Sequence, residues 1–280
     1  MNPEILHIVN TMNPITLAEM KDVKLMNRVD TKYLITSNDL LNILKGVHEH
    51  YYAQEVEGNR LSPYSTVYYD TPGLKMYILH HDRHLVRDKV RIRTYVDSQL
   101  TFCEVKHKTN KGRTKKRRVQ LKTESGTAQP STKRSELKWK AVSNLSALNE
   151  ELAAAEFQLP YPAETLNAHL ETAFDRITLV NYEKTERLTI DCNLRFNNFI
   201  AGTTASIEPL VIMELKQDGR ARSLLKEVLF DLRIKPYKIS KYCIGTALTR
   251  PEVKQNRFKK KLRRINKLKT KNGELKTANC

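Results

Sequence analysis

The chain has 280 residues, with 49 Lys+Arg against 31 Asp+Glu and a net charge of +18. Its 40% hydrophobic and 29% charged residues exclude a disordered polyelectrolyte, and no apolar run approaches the roughly 18 residues that a membrane span needs. Cys103, Cys192, Cys243 and Cys280 stand singly, which excludes a zinc ribbon or disulfide framework and fits a reducing, cytoplasmic setting. The first residues show neither a basic n-region nor a long apolar h-region, so no secretory signal is expected. A basic chain of this kind points to an anionic partner.

Thr16-Leu17-Ala18-Glu19 is a capping-box pattern that predicts a short helix toward Met26. Residues 32–35 read as a strand. Thr36 or Ser37 then caps a helix with Leu40, Leu41, Ile43, Leu44 and Val47 at helical spacing. Beyond Pro63, strands are predicted over 66–70, 89–95 and 101–108, and Gly112 turns the chain into a hairpin partner over 113–122. Residues 123–135 read as a loop. A helix-rich stretch is expected over 136–174, broken at Pro160 and Pro162. Strands return over 178–184, 187–191 and 210–216, followed by a helix over 222–232 and a last short helix after 238–242. The order predicts an α+β class. Two parts are expected, a main domain over 1–250 and a basic C-terminal tail over 251–280 that is helical in part at most.

The charge is concentrated. Residues 254–280 hold eleven Lys/Arg and one acid, while residues 104–122 hold nine Lys/Arg and Glu104. The rest of the chain is neutral in sum. The first run follows Pro251 and reads as a solvated tail. The second lies between predicted strands, and alternation explains it better. On a strand, residues two apart share a face. Arg91 and Arg93 oppose Val90 and Ile92; Glu104, Lys106 and Lys108 oppose Cys103 and Val105. Arg187, Thr189 and Asp191 oppose Leu188 and Ile190, and Glu214 and Lys216 oppose Met213 and Leu215. Same-sign pairs on neighbouring strands cost stability unless a polyanion compensates them. A sheet curled with these faces inward makes a basic tunnel suited to phosphate chains. Glu214, isolated among bases, is then a candidate ligand for a hard divalent ion, with a salt bridge to Lys216 or Arg91 as the plainer reading.

The motifs occur in a recognisable order. They are Asn27-Arg28-Val29-Asp30-Thr31-Lys32-Tyr33-Leu34-Ile35, Val67-Tyr68-Tyr69-Asp70-Thr71-Pro72, and Lys89-Val90-Arg91-Ile92-Arg93-Thr94-Tyr95. Glu104-Val105-Lys106-His107-Lys108 with its basic sequel, Arg187-Leu188-Thr189-Ile190-Asp191, Glu214-Leu215-Lys216 and Lys238-Ile239-Ser240-Lys241-Tyr242 follow. Over about 25–250 the chain resembles the VTC polyphosphate polymerase domain of the triphosphate tunnel metalloenzyme, or CYTH-like, superfamily. The resemblance implies a closed antiparallel eight-stranded β-barrel tunnel with peripheral helices, a nucleoside triphosphate or polyphosphate substrate, and Mn or Mg. By position it implies phosphate contacts at Lys32, Arg91, Arg93, Lys106, Lys108, Arg187, Lys238 and Lys241. It further implies a hydrogen-bond donor at Ser240 and the metal ligand at Glu214. Arg91, Arg93, Lys106 and Glu214 form the implied catalytic group. One or two more contacts fall within Lys115, Lys116, Arg117 and Arg118. Alternation leaves open which pair faces inward, and Lys116 with Arg118 is the working assignment. One departure is that the acid-x-acid-x-Lys start common in the superfamily is reduced here to Asp30 before Lys32.

The implied reaction transfers a nucleotide's γ-phosphoryl to the terminal phosphate of a growing chain, in line, with no side chain needed as base. The alternatives are a tripolyphosphatase or nucleoside triphosphatase in the same tunnel, and a non-catalytic polyphosphate-binding module. No specific nucleic-acid partner is expected, because the basic motifs lack interleaved aromatics and any RNP, KH or zinc motif. The tail raises the expectation of docking on an acidic membrane surface or a membrane-protein partner, peripheral at the inner face of a membrane. His80, His81 and His84 include an i, i+4 pair but lack a third zinc-ligand group, and read as surface or tunnel-mouth residues. Tyr68 and Tyr69 read as packing residues, Asp191 as orienting Arg187, Asp70-Thr71-Pro72-Gly73 as a structural turn, and Trp139 as packed in the helical stretch.

Overall fold

The computed structural model describes residues 2–23, 28–122, 142–219 and 221–277. The first half contains α1 (Pro3–Thr11), β1 (Pro14–Ile15), β2 (Arg28–Ile35), α2 (Ser37–Val47), β3 (Tyr51–Gln54), β4 (Ser62–Asp70) and α3 (Lys75–His81). Next come β5 (Arg87–Tyr95), β6 (Leu100–Lys108), β7 (Thr114–Leu121) and α4 (Asn149–Ala154). The second half holds β8 (Asn167–Asn181), β9 (Glu186–Asn198), β10 (Thr203–Ser206), β11 (Val211–Asp218), α5 (Leu224–Asp231), α6 (Lys241–Thr249) and α7 (Lys259–Thr277).

Local chemistry explains most boundaries. Thr36 and Asp39 close a reciprocal capping box that starts α2. Gly112, at φ +77°, turns β6 into β7. The Thr16/Glu19 box also forms, but it opens only a short 3-10 turn over Glu19–Asp22; Met26 lies outside the described residues. Residues 123–135 and Trp139 lie outside them too.

The strands join in one sheet with the central order β2-β11-β9-β8-β4-β5-β6-β7; β1, β3 and β10 pair at its margins. All central pairings are antiparallel. The sheet curls into a half-barrel and stays open, with β2 and β7 as the ends of the path. The expected closed eight-stranded barrel is thus corrected to an open, eleven-stranded curled sheet. The physical reason is pairing: among the described residues β2 pairs only with β11, and β7 only with β6.

Two apolar layers cover the convex side. Tyr33, Ile35, Leu188, Ile190, Met213 and Leu215 pack beneath α1, α2 and α5. Val67, Val90, Ile92, Cys103 and Val105 pack with Leu145 and Leu152. A third cluster lies on the concave side, where Tyr242, Cys243 and Ile244 of α6 meet Leu34, Tyr68, Leu170, Phe196 and Ile212. One helix can reach β2, β4, β8, β9 and β11 together only from inside the curve.

Two expectations change. Residues 167–174, read as helical, form the first half of β8. Both faces of that strand are largely covered, and the register slips between Ala173 and Asp175, so polar alternation is masked. The segment read as a basic tail forms the 19-residue α7, whose Ile265 is 1% exposed and, with Phe258 just before it, joins the concave cluster.

Candidate functional site

Directly paired residues on antiparallel strands share a face, so register assigns the inner face rung by rung. Lys32 lies opposite Glu214, and Glu214 opposite Thr189; Asp30 and Arg187 both lie opposite Lys216. Asp191 lies opposite Arg176. On the other wall, Tyr68, Arg91, Glu104 and Arg118 form one rung, and Lys89, Lys106 and Lys116 another. Arg93 faces Thr66, and Arg87 faces Lys108. The register therefore puts Lys116 and Arg118 on the inner face. Arg117 points away and donates to the Gln158 carbonyl at 2.8 Å.

The structure thus gathers Lys32, Arg91, Arg93, Lys106, Lys108, Lys116, Arg118, Arg187 and Glu214 on one concave surface. Ser240 and Lys241 enter it from the start of α6. The Ser240 hydroxyl caps that helix and accepts from Lys89 Nζ at 3.1 Å. Lys238 lies at the exposed rim, within electrostatic reach of Lys108.

The acids divide into occupied and available. Glu104, fully buried, accepts from Arg91 Nε at 2.7 Å and pairs with Lys116. Burial pushes its carboxyl up, but Arg91, Arg93 and Lys116 outweigh it and hold it at about 2. Asp191 takes both Nε and a terminal nitrogen of Arg176, at 2.6 and 2.9 Å, and the Lys241 ammonium. Those cations hold it well below the usual carboxylate range despite burial. Asp30 is engaged by Arg28 at 2.6 Å. Glu214 differs. It meets Lys32 at 3.7 Å, and no side chain among the described residues donates a hydrogen bond to its carboxylate. Burial raises it, yet Lys32, Lys216 and Lys106 hold it ionised, at about 2.

The cations are crowded accordingly. Arg91 and then burial push Lys106 well below the usual lysine range. Burial, with Arg187 and Arg176, brings Lys216 to about 8 against the opposing pull of Glu214. The Nε of Arg187 is buried without a hydrogen-bond partner among the described residues.

Asp191 therefore does not orient Arg187; it holds Arg176 and Lys241. Arg176 escaped the sequence reading because it follows directly on a segment read as helical. Lys89 and Lys216 were within reach of it, since each lies two residues from an assigned inward residue. Asp70 does more than shape a turn. Its carboxylate accepts the backbone N–H groups of Thr71, Met76 and Tyr77 at the start of α3, and the Tyr242 hydroxyl of α6. His81 is wholly buried rather than at the surface. Tyr69 packs on the convex side, whereas Tyr68 lies on the inner face beneath Arg91.

A family model described as the VTC domain matches residues 27–250. The chain belongs to the VTC domain family. Solved structures with a similar course of chain include the Hippeastrum protein HpAC1, reported to reveal a dominant triphosphatase activity. It is 11% identical, with 79% of this VTC domain chain and 96% of that chain covered and a TM-score of 0.49. A Vibrio parahaemolyticus protein named for adenylate cyclase is 12% identical, covering 79% and 99%, with a TM-score of 0.41. The PH1819 protein of Pyrococcus horikoshii is 12% identical, covering 79% and 98%, with a TM-score of 0.39. No curated protein matches closely enough to count as a relative. Among the described residues, no helix of this VTC domain is long and apolar enough to cross a membrane.

Proposed function

We propose that this protein is a polyphosphate polymerase that transfers the γ-phosphoryl group of a nucleoside triphosphate to the end of a growing polyphosphate chain. The observation that carries the reading is the contrast among inner-face acids. Glu104, Asp191 and Asp30 are each taken up by cations, while Glu214 stays ionised and loosely held at 3.7 Å from Lys32. Membership of the VTC domain family supports the same reading.

A divalent ion fits this donor set only as a shared ligand. Among the described residues no group of three His, Cys, Asp or Glu could hold a metal alone. Mg²⁺ ordinarily combines one or two carboxylates with substrate phosphates and water, and Mn²⁺ shares its preference for oxygen ligands. Glu214 would supply the protein ligand. Bound there, the ion would neutralise charge on the transferred phosphoryl. The chain's own residues do the rest. Arg91 and Arg176 are held by Glu104 and Asp191, and Lys32, Arg93, Lys106 and Arg187 line the same surface. These groups align the phosphates and offset charge on the equatorial oxygens. The bond from the γ-phosphorus to the β–γ bridging oxygen breaks, and one forms to the terminal oxygen of the acceptor chain. Nucleoside diphosphate leaves. The acceptor oxygen is already anionic, so no side chain need remove a proton.

The test is incubation of purified protein with ATP and Mn²⁺ or Mg²⁺, with products resolved on a gel stained for polyphosphate. A ladder supports the reading. Free phosphate without a ladder indicates a hydrolase, and tight binding without turnover a non-catalytic module. Glu214→Ala is expected to lower metal-dependent turnover about a hundredfold or more. The same change should tighten metal-free tripolyphosphate binding, because it removes a negative charge from the binding surface. Full metal-dependent activity in Glu214→Ala would sink the assignment. We also propose that the exposed cations of the C-terminal segment dock on an acidic membrane surface or membrane partner; a Lys259→Glu/Lys260→Glu/Lys267→Glu variant, which keeps the buried Phe258 and Ile265, should lose membrane association, and unchanged association would overturn the proposal.

A further inference from the structure

The cations do not stop at the edge of the inner face. Across β5 and β6, Arg87 lies opposite Lys108 and Lys89 opposite Lys106, and Lys116 continues the second rung. Like charges directly opposite are destabilising, and neither rung contains an acid. At this end of the sheet, the segment leading into α7 is pinned to α3 and the residue after it. The Tyr77 hydroxyl donates to the Lys254 carbonyl at 2.9 Å, and the Arg257 amide to His81 Nε2 at 3.3 Å. Lys254 pairs with Asp82 at 2.9 Å, and the Phe258 ring packs edge-on against His81.

That anchoring fixes where the first turn of α7 goes. The Lys261 ammonium lies 5.8 Å from the Phe258 ring centroid and within electrostatic reach of Arg83 and Lys238. Lys261, Arg87, Lys89 and Lys108 all lie within electrostatic reach of His80, whose Nδ1 is buried without a hydrogen-bond partner among the described residues. Burial and these cations keep its imidazole neutral down to about 2. The nearby acids are already engaged, Asp82 by Lys254 and His81, and Asp88 by His107. Arg83 after α3, Arg87 of β5, Lys108 of β6, Lys238 before α6 and Lys261 of α7 thus form a rim that no acid among the described residues pairs with, continuous with the inner face.

We infer that Arg83, Arg87 and Lys261 around His80, bordering Lys108 of the inner face and Lys238 of its rim, form a second anion subsite that holds the part of a linear polyphosphate chain extending beyond the inner face. The inference rests on the proposed binding of phosphates at the inner face. A chain of bare phosphates needs only cations, whereas single-stranded nucleic acid also needs aromatic faces for its bases. Tyr77 and Phe258 at this end are buried, and the half-buried Tyr237 ring is covered by the Arg264 guanidinium at 4.9 Å.

The test compares the full chain with an Arg83→Glu/Lys261→Glu pair and a milder Arg83→Gln/Lys261→Gln pair. Binding of tripolyphosphate, long-chain polyphosphate and a single-stranded RNA is measured at one ionic strength, with thermal melts as the folding control. Long-chain affinity is expected to fall roughly tenfold more than tripolyphosphate affinity, from the loss of two charge-assisted contacts. If tripolyphosphate binds tightly and the ratio of the two affinities does not move, the subsite is overturned while the proposed function stands. If the unmodified protein binds no tripolyphosphate, the proposed function falls and takes this inference with it. If RNA loses affinity and long-chain polyphosphate does not, the ligand class is wrong. The glutamine pair decides the matter if the glutamate pair does not fold.

Discussion

Glu104 and Asp191 are buried carboxylates that each bind two cations, and this arrangement orders the site residue by residue. Removing one leaves buried cations uncompensated, which typically costs 3–5 kcal/mol. Glu104→Gln and Asp191→Asn are each expected to lower stability by roughly that amount, read by chemical denaturation. The effect should depend on pH. Both carboxyls titrate below their unfolded values, so their stabilisation is present above about pH 4 and is lost as pH falls toward 2. The two variants should therefore lose less stability on acidification than the unmodified protein. Lys216 gives a second handle. Burial and the neighbouring guanidinium groups bring its ammonium down to about 8, and a bound polyanion would raise that value. Tripolyphosphate affinity should then weaken as pH rises above 8, by at most about tenfold per pH unit. Lys216→Arg, which stays charged, should flatten that part of the profile. A profile that is the same in both proteins would show that Lys216 does not meet the ligand.

α6 is the element that makes the concave side a site. Its N-terminal Ser240 and Lys241 reach the charged rungs, and its apolar residues fill one end of the curve. It lies very close to the sheet at Gly245. A Cβ there would overlap the Phe196 ring and sit 2.7 Å from Leu170 Cδ2. Gly245→Ala is expected to push α6 outward and cost about 1–3 kcal/mol, visible as a lower melting temperature. Because Lys241 would move with the helix, substrate affinity should fall in step. The strands tell a related story about legibility. β5 and β6 expose the alternation of their charged faces in the sequence, since one face is apolar and the other ionic. β8 hides it, because α6 covers its inner face and β-bulging shifts its register, and Arg176 was lost with it.

At the scale of the molecule, α7 decides how the net charge is used. Its Ile265 is buried in the concave cluster, and Lys269 donates to the Ser206 carbonyl of β10 at 3.0 Å. Ile265→Ala should cost about 2–4 kcal/mol, as burial in a folded core requires and a solvated tail would not. Denaturation of the purified variant checks this; an unchanged midpoint would mean that α7 does not contribute to the fold in solution. Polyanions should act oppositely. A ligand that binds only the folded state at a hundred times its Kd adds about 2.7 kcal/mol. Tripolyphosphate should therefore raise the melting temperature well beyond what chloride at equal ionic strength does.

The sequence by itself determined which residues carry charge on which strand face, because a period of two survives wherever one face is apolar and the other ionic. It also carried the order of the motifs from Lys32 to Lys241, and with it the family. Tertiary structure decided three further matters. Pairing register put Lys116 and Arg118, rather than Lys115 and Arg117, on the inner face. Proximity across β8, β9 and α6 made Arg176 and Lys241 the partners of Asp191. The anchoring of Phe258 and Arg257 on α3 turned a run of basic residues into a helix at the rim. The +18 charge is a sum over the chain, and sums carry no positions. Coulombic effects depend on distance and burial, which only the packed chain supplies.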